Sequence, residues 1–188
     1  MIALMLDVAK LRVLIFGNGT VGNRKAQYFQ NEAAEVRILD TADTVSADLD
    51  ALIAAYDIII AATNNPAFND TVASIADRQN KWYNSATGRG NFLIPAAFQE
   101  GDVSIAVSTN GKAPAAAAYI RTKLEKECPA LPKMVTLQDK LRTALKQRDM
   151  PQEQRAEILR SVLNDQAIWE ALEDNEIFEA EKLAWRYV

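Results

Sequence analysis

Histidine is absent from the 188 residues, and cysteine occurs once, as Cys128. The lack of histidine removes the usual imidazole base, the Ser-His nucleophile pair and the commonest ligand of transition metals. A single cysteine excludes an intrachain disulfide, and without a Cys-x-x-Cys pair we expect no metal site and interpret Cys128 as structural. Any chemistry must therefore rest on carboxylates, hydroxyls, amides or a bound cofactor.

A surplus of basic residues is also missing, because the net charge is −4 and the sequence pI is about 5.0. We therefore expect no nucleic-acid partner. The apolar start, Met1 to Leu6, has no basic flank and is too short for a signal peptide or a membrane span. We expect a cytoplasmic protein without a membrane partner. Its length leaves room for one α/β domain and a smaller appendage.

The stretch that organises the chain is RVLIFGNGTVG, residues 12 to 22. Its apolar run, Val13 to Phe16, predicts a strand buried on both faces. Three glycines with the spacing G-x-G-x-x-G come next, and they are typical of a phosphate-binding turn into a helix. Gly17 permits the tight turn, Gly19 lets a pyrophosphate approach the backbone, and Gly22 lets helix and strand pack closely. The N–H groups at the helix start then form an anion site.

The context strengthens this interpretation. A helical stripe and a second strand, Glu35 to Asp40, complete a βαβ unit of the expected length. Asp40 lies 40 − 22 = 18 residues beyond the last glycine, close to where the motif places a ribose-binding acid. A carboxylate there repels a 2′-phosphate, which favours NAD over NADP. The alternative is an aspartate that ends the strand and caps the next turn.

The next strand is predicted at Asp57 to Thr63, after a short helix marked by Leu49, Leu52, Ile53 and Tyr56. Its end should face the cofactor, because ligands of open α/β sheets bind outside the carboxyl ends of the strands. Asn65 and Pro66 are typical of a helix start, so simple capping competes with cofactor contact for these asparagines. The expected cofactor-binding set is Gly17, Asn18, Gly19, Thr20, Val21, Gly22, Asp40, Thr41, Thr63 and Asn64.

Three further strands are predicted downstream. One spans Lys81 to Ala86 and ends in a glycine-containing loop. The other two, Phe92 to Phe98 and Asp102 to Ser108, are predicted to pair across a short turn. A polar loop, Ser108 to Pro114, comes after them, and such loops often carry function. At the other end of the chain, MIALMLDV is interpreted as a short strand.

From Ala115 the pattern is helical almost to the end, in four amphipathic segments with no strands between them. The last of these begins near Asp165. The fold class is therefore α/β: a Rossmann-type parallel sheet with the glycine turn, followed by an all-helical dimerisation and C-terminal region. The expected division is 1–113 for the NAD-binding domain, 114–150 for helical dimerisation and 151–188 for the C-terminal helices. A homodimer would cover the long apolar stripes; the alternative is that they cover the chain's own sheet.

Several motifs in order resemble the precorrin-2 dehydrogenase family, of the siroheme synthase N-terminal type. They are MIALMLDV, VLIFGNGTVGNRKA, DIIIAATNNP, GNFLIPA, GDVSIAVSTNGKAP and the helix start AAAAYIRTKLE. The resemblance spans roughly residues 1 to 127. It implies NAD-dependent oxidation of precorrin-2, a tetrapyrrole rich in carboxylates, to sirohydrochlorin on the path to siroheme or a related cofactor. It also implies a homodimer.

The resemblance places Ser108, Thr109 and Lys112 in a polar loop near the tetrapyrrole cleft. We expect the segment from Asn84 to Asn91 to border the same cleft, so the expected substrate set also contains Asn84, Arg89 and Asn91. Lys112 has an electrostatic role beside a polycarboxylate, although a solvated loop charge is the alternative, as it is for Arg89. Members that also insert iron carry an aspartate where this chain has Thr87, which cannot act as a carboxylate base. The chain thus resembles a dehydrogenase-only member, with no identified catalytic residue. A bifunctional dehydrogenase and ferrochelatase and a non-catalytic NAD-sensing module remain alternatives.

Overall fold

The computed structural model describes residues 2–40, 48–88 and 90–188. The chain divides into two compact units, one reaching to Ile94 and the other spanning Pro95–Val188. Within the described residues, strands and helices alternate through the first unit. These elements are β1 Arg12–Phe16, α1 Thr20–Gln27, β2 Glu35–Leu39, α2 Leu49–Ala54, β3 Ile58–Ala61, α3 Pro66–Arg78 and β4 Trp82–Ser85.

The four strands form one parallel sheet in the order β2-β1-β3-β4, which confirms the predicted Rossmann-type α/β architecture. The apolar runs of β1 and β3 are buried on both faces, as their sequences predict. One face, with Leu14 and Phe16, packs on α2 and α3. The other face, with Val13 and Ile15, packs on α1. The strand order reverses between β1 and β3, and the crevice outside their carboxyl ends is the expected ligand site.

The amino end of the sheet is held by a polar cluster around Arg12. Its side chain donates to the Glu35 carboxylate at 2.8 Å and to the backbone oxygen of Ala55 at 2.7 Å. It also lies 4.7 Å from the centre of the Tyr56 ring, and the Tyr56 hydroxyl donates to Glu35. The hydrogen bonds from Arg12 and Tyr56 lower the pKa of Glu35. The cluster lies at the end of the sheet opposite the glycine turn.

The predicted N-terminal strand is wrong. Residues 2 to 8 form no strand, and the side chains of Ile2, Leu4 and Met5 are 79%, 72% and 80% exposed. An apolar run becomes a strand only when another strand supplies hydrogen-bond partners, and no described residue pairs with this segment. The sequence pattern alone does not show whether a partner strand exists.

The second unit begins with an antiparallel hairpin, β5 Ala96–Glu100 and β6 Val103–Val107. The pairing is confirmed, but β5 begins four residues later than expected. Phe92 and Ile94 instead pack on the α1 side of the first unit's sheet. Gly101 begins the two-residue turn with a φ of +56°, a conformation that glycine adopts without steric cost.

Helices form the rest of the second unit in the described part of the chain. They are α4 Pro114–Glu127, α5 Leu131–Lys146, α6 Gln152–Leu163, α7 Gln166–Glu173 and α8 Ile177–Ala184, followed by a 3₁₀ turn, Trp185–Tyr187. Helix α4 packs against the hairpin, while α5 to α8 enclose a core of their own that includes Met134, Leu141 and Ile168. None of the described helices is long and apolar enough to cross a membrane.

The last predicted helix is divided in two at Asn175, which corrects the sequence interpretation. Asn175 has a φ of +62°, and the N–H of Glu176 donates to the backbone oxygen of Ala171 at 2.7 Å. This is the hydrogen bond of a Schellman-type helix end, in which asparagine is tolerated in the left-handed conformation. The apolar spacing continues across the break, so it predicts one helix where the backbone forms two.

Candidate functional site

The carboxyl end of β1 leads directly into the glycine turn. Gly17 has a φ of +109°, and a Cβ atom at this residue would lie 2.3 Å from the backbone oxygen of Ala62 at the end of β3. Its N–H donates to the backbone oxygen of Leu39, at the end of β2. Gly17 therefore joins the ends of three strands, and a side chain cannot be placed there without moving backbone.

The other two glycines have different surroundings. A Cβ atom on Gly22 would lie 1.9 Å from the backbone oxygen of Gly17, so helix and turn are in close contact. A Cβ atom on Gly19 would meet nothing within 4 Å. Gly19 is the N-cap of α1 in an extended conformation, and it leaves open space in front of the first helical N–H groups. This open, positively polarised helix start fits a pyrophosphate.

Asp40 follows β2 at the same edge of the sheet and is exposed. This position agrees with the role expected for a ribose-binding acid. Within the predicted turn, Asn18 accepts a hydrogen bond at its backbone oxygen from the Asn23 side chain at 3.0 Å, while Thr20 and Val21 begin α1. Two predicted site residues, Thr41 and Arg89, lie outside the described residues.

The end of β3 is organised by Asn69, which the sequence interpretation missed. Its side chain is fully buried and accepts from the N–H of Thr63 at 3.0 Å and from the Thr63 hydroxyl at 2.7 Å. Its amide nitrogen donates to the Thr63 backbone oxygen at 3.0 Å. The hydroxyl of Thr63 is thus engaged within the protein, whereas Asn64 is exposed. Asn65 caps α3 by accepting from the N–H of Phe68, which confirms its capping role.

A sequence signal for Asn69 does exist. It lies three residues before Val72, so it falls on the stripe of α3 that packs against the sheet. A polar residue on a buried stripe needs hydrogen-bond partners. Asn69 finds them in the loop that faces the expected cofactor.

The end of β4 carries a small group of hydroxyls. The Ser85 side chain accepts from the N–H groups of Thr87 and Gly88, each at 3.3 Å. The Thr87 hydroxyl lies 3.3 Å from the Ser85 hydroxyl and 3.5 Å from the Asn69 amide nitrogen. Thr87 therefore belongs to a neutral hydrogen-bonded group that connects the loops after β3 and β4.

Asn84 and Asn91, expected at the substrate, have their amides occupied. Asn84 is buried; its oxygen accepts from the Lys25 ammonium, and its nitrogen donates to the backbone oxygen of Phe92. The Asn91 side chain binds the edge of β4, with its oxygen accepting from the N–H of Tyr83 and its nitrogen donating to the Lys81 oxygen, both at 2.8 Å. These amides fix the loop after β4.

Lys25 itself is half-buried on α1, and burial lowers the pKa of its ammonium group. Its nearness to Arg24 lowers that pKa further. The sequence interpretation did not single out Lys25, because nothing in the spacing shows that α1 carries it to β4.

The polar loop of the second unit is a tight turn. The N–H of Lys112 donates to the backbone oxygen of Thr109 at 3.0 Å, and the two residues between them, Asn110 and Gly111, have φ values of +53° and +77°. The Ser108 hydroxyl accepts from the N–H of Asn110, and the Thr109 hydroxyl accepts from that of Ala113. Both hydroxyls therefore shape the loop, and the Lys112 side chain is exposed.

Comparison with known proteins shows to which family this chain belongs. A family described as putative NAD(P)-binding matches residues 4–96, and one described as sirohaem biosynthesis protein central matches residues 100–127. A precorrin-2 dehydrogenase of Methanosarcina barkeri is 32% identical over 92% of this chain and 87% of its own length. The chain belongs to the precorrin-2 dehydrogenase family.

Further relatives agree with this membership. A solved structure of SirC, a precorrin-2 dehydrogenase, is 25% identical and covers 97% of this chain and 99% of its own, with a TM-score of 0.70. The siroheme synthase of Mannheimia succiniciproducens is 30% identical over 88% of this chain, but the match covers only 37% of that longer protein. The resemblance inferred from the motifs is thereby confirmed.

Proposed function

We propose that this chain is an NAD-dependent oxidoreductase that converts precorrin-2 into sirohydrochlorin, a step of siroheme and related porphyrin-type cofactor biosynthesis. The observation that carries the proposal is the open helix start at Gly19 in a chain of this family. The space that a Cβ would occupy is empty, while both flanking glycines are closely packed. NAD supplies the hydride acceptor when it is bound.

Three parts of the chain would hold that cofactor. The N–H groups of Thr20, Val21 and Gly22 face the pyrophosphate at the start of α1. The Asp40 carboxylate accepts hydrogen bonds from the ribose hydroxyls and disfavours a 2′-phosphate. Thr63 and Asn64 border the crevice where the strand order reverses, and Asn69 keeps that loop in place.

For the substrate, we propose that cations neutralise the carboxylates of precorrin-2. Lys112, exposed on its tight turn, and Arg89 are the candidates. Ser108 and Thr109 contribute by shaping the loop that presents Lys112. Asn84 and Asn91 would in the same way position the loop that contains Arg89.

We propose that the chain does not insert metal. The resemblance places the aspartate of metal-inserting members at the position of Thr87, so this chain lacks that carboxylate. Among the described residues, no group of three or more His, Cys, Asp or Glu side chains could hold a metal ion.

We also propose a cytoplasmic homodimer formed through the helices of the second unit. Tyr119 and Phe178 are 68% and 81% exposed, and Ile120 is 42% exposed. Large exposed apolar side chains, such as those on α4 and on α8, are typical of protein interfaces. Sedimentation of the purified chain and of a Tyr119→Glu, Ile120→Glu variant tests this, since the variant is expected to be monomeric. A wild-type monomer at micromolar concentration would contradict it.

The activity is tested by an anaerobic assay with enzymatically generated precorrin-2 and NAD, followed by addition of ferrous or cobaltous ion. We expect NAD-dependent formation of sirohydrochlorin and no acceleration of metal insertion. Metal insertion above the uncatalysed rate would favour the bifunctional alternative. NAD binding without oxidation would favour the sensing module.

A further inference from the structure

Among the aspartates between residues 48 and 88, one carboxylate at the carboxyl edge of the sheet has no partner within the described residues. Between residues 48 and 88, the other aspartates are all engaged: Asp48 caps α2, Asp50 pairs with Arg78, Asp57 accepts from the N–H of Arg12, and Asp77 hydrogen-bonds Tyr83. Asp70 is the exception. It is exposed, and no described residue forms a hydrogen bond or an ion pair with its carboxylate.

Asp70 is nevertheless held in a defined place. It follows Asn69 on α3, and the buried Asn69 amide binds Thr63 after β3 and reaches Thr87 after β4. A Cβ atom placed on Gly88 would lie 3.7 Å from a carboxylate oxygen of Asp70 and 3.8 Å from the Ser85 hydroxyl. Because Gly88 has no side chain, the space beside the Asp70 carboxylate stays open.

The carboxylate therefore lies beside the loop after β4, whose hydroxyl groups belong to Ser85 and Thr87. Thr87 and Ser85 are neutral hydrogen-bonding groups that cannot accept a proton at neutral pH. The Asp70 carboxylate, which lies on α3 at the same end of the sheet, is able to accept a proton.

We propose that Asp70 is the proton acceptor of the oxidation, an inference that rests on the proposed function. Oxidation of precorrin-2 removes two hydrogens. One C–H bond breaks and its hydrogen leaves as hydride to NAD, while a proton from the macrocycle passes to the Asp70 carboxylate and then to solvent. Charge and atoms balance, because NAD takes one hydrogen with two electrons and Asp70 takes the proton.

Within the residues that the structure describes, none forms an ion pair with the Asp70 carboxylate. The residues one turn away on α3, Pro66, Ala67, Ala73 and Ser74, are uncharged, and the facing loop contributes Ser85 and Thr87. Helix α2, which packs on α3, carries Asp50, and its carboxylate pairs with Arg78 two turns beyond Asp70.

The test compares Asp70→Asn and Asp70→Glu with Asp50→Asn, which removes an exposed carboxylate of the same unit outside the proposed site. Anaerobic turnover is measured from about pH 5 to 9, and NAD affinity is measured separately by calorimetry. We expect Asp70→Asn to lower kcat by about 10²-fold to 10⁴-fold, the usual contribution of general acid-base catalysis. NAD affinity and melting temperature should stay unchanged, and the acid limb of kcat should disappear.

Asp70→Glu should keep part of the wild-type kcat and the acid limb of its pH profile. Asp50→Asn should behave as wild type. Two outcomes would overturn the role of Asp70: a kcat for Asp70→Asn within about threefold of wild type, or an acid limb that persists in that variant. A wild-type protein that binds NAD but does not oxidise precorrin-2 would refute the proposed function, and the role of Asp70 with it.

Discussion

Substitution of glycine by alanine should have opposite effects at Gly19 and Gly22, although both residues belong to one motif. A Cβ at Gly22 would lie 1.9 Å from the Gly17 oxygen, well inside van der Waals contact, so Gly22→Ala must displace either α1 or the turn. Overpacking of this kind costs about 2 kcal/mol. For a unit of this size, that lowers the melting temperature by about 10 °C.

Gly19→Ala should leave the fold intact, because nothing lies within 4 Å of the added atom and the backbone is extended, with a φ of −87°. Replacing glycine by alanine at an N-cap costs less than about 1 kcal/mol. The methyl group instead occupies the space assigned to the pyrophosphate. We expect NAD affinity to fall at least about tenfold, equivalent to roughly 1.4 kcal/mol.

Thermal unfolding and NAD calorimetry on the two variants separate these effects. Stability should drop in Gly22→Ala, whereas Gly19→Ala should lose cofactor affinity with little change in melting temperature. If Gly19→Ala bound NAD as tightly as wild type, the assignment of the turn would be refuted.

Three further predictions concern other parts of the first unit. Asp40→Ser should narrow the preference for NAD over NADP at least about tenfold in calorimetry, since the repelling carboxylate is gone; an unchanged ratio would remove Asp40 from the ribose site. Asn69→Ala should lower the free energy of unfolding by about 1 to 3 kcal/mol, because it leaves the buried polar groups of Thr63 without their hydrogen-bond partner. A wild-type midpoint in chemical denaturation would contradict this. The pKa of Glu35 is lowered from 4.5 mainly by its hydrogen bond from Arg12, so its stabilising contribution is present above pH 4.5 and is lost as the pH falls below that value. Glu35→Gln should therefore lower the melting temperature at pH 7 and flatten its decline in acid; an equal decline in both proteins would rule this out.

Local patterns predicted the parallel sheet of the first unit, β1 to β4. The uninterrupted apolar runs of β1 and β3 can be satisfied only by burial on both faces, and the glycine spacing restricts the backbone of the turn between β1 and α1. Both features are properties of consecutive residues. Element type and order could therefore be inferred directly from the sequence.

Partners distant in the sequence could not be predicted. The apolar segment at Ile2 to Leu6 has the composition of a strand but pairs with no described residue, and the apolar spacing across Asn175 conceals a left-handed residue that divides the helix. Both errors have one physical cause: hydrophobic periodicity reports which side chains avoid water, and it reports neither backbone pairing nor single-residue conformations.

The asparagines of the site illustrate the same limit. Asn84 and Asn91 were expected at the substrate because the segment between them was expected to border the substrate cleft, yet their amides bind Lys25 and nearby backbone groups. A side-chain amide can hydrogen-bond a ligand or the protein backbone equally well, and only its neighbours in the folded structure determine which. Asn69, which does position the site, was overlooked because its partners lie in two other loops.

The central claim is that this chain transfers hydride from precorrin-2 to NAD. The most direct measurement is the anaerobic stoichiometry of the purified chain with limiting precorrin-2, with NADH and sirohydrochlorin quantified in the same cuvette. We predict one NADH for each sirohydrochlorin formed, and neither product without NAD. Sirohydrochlorin formed at the same rate without NAD, or NAD bound with no NADH produced, would contradict the account.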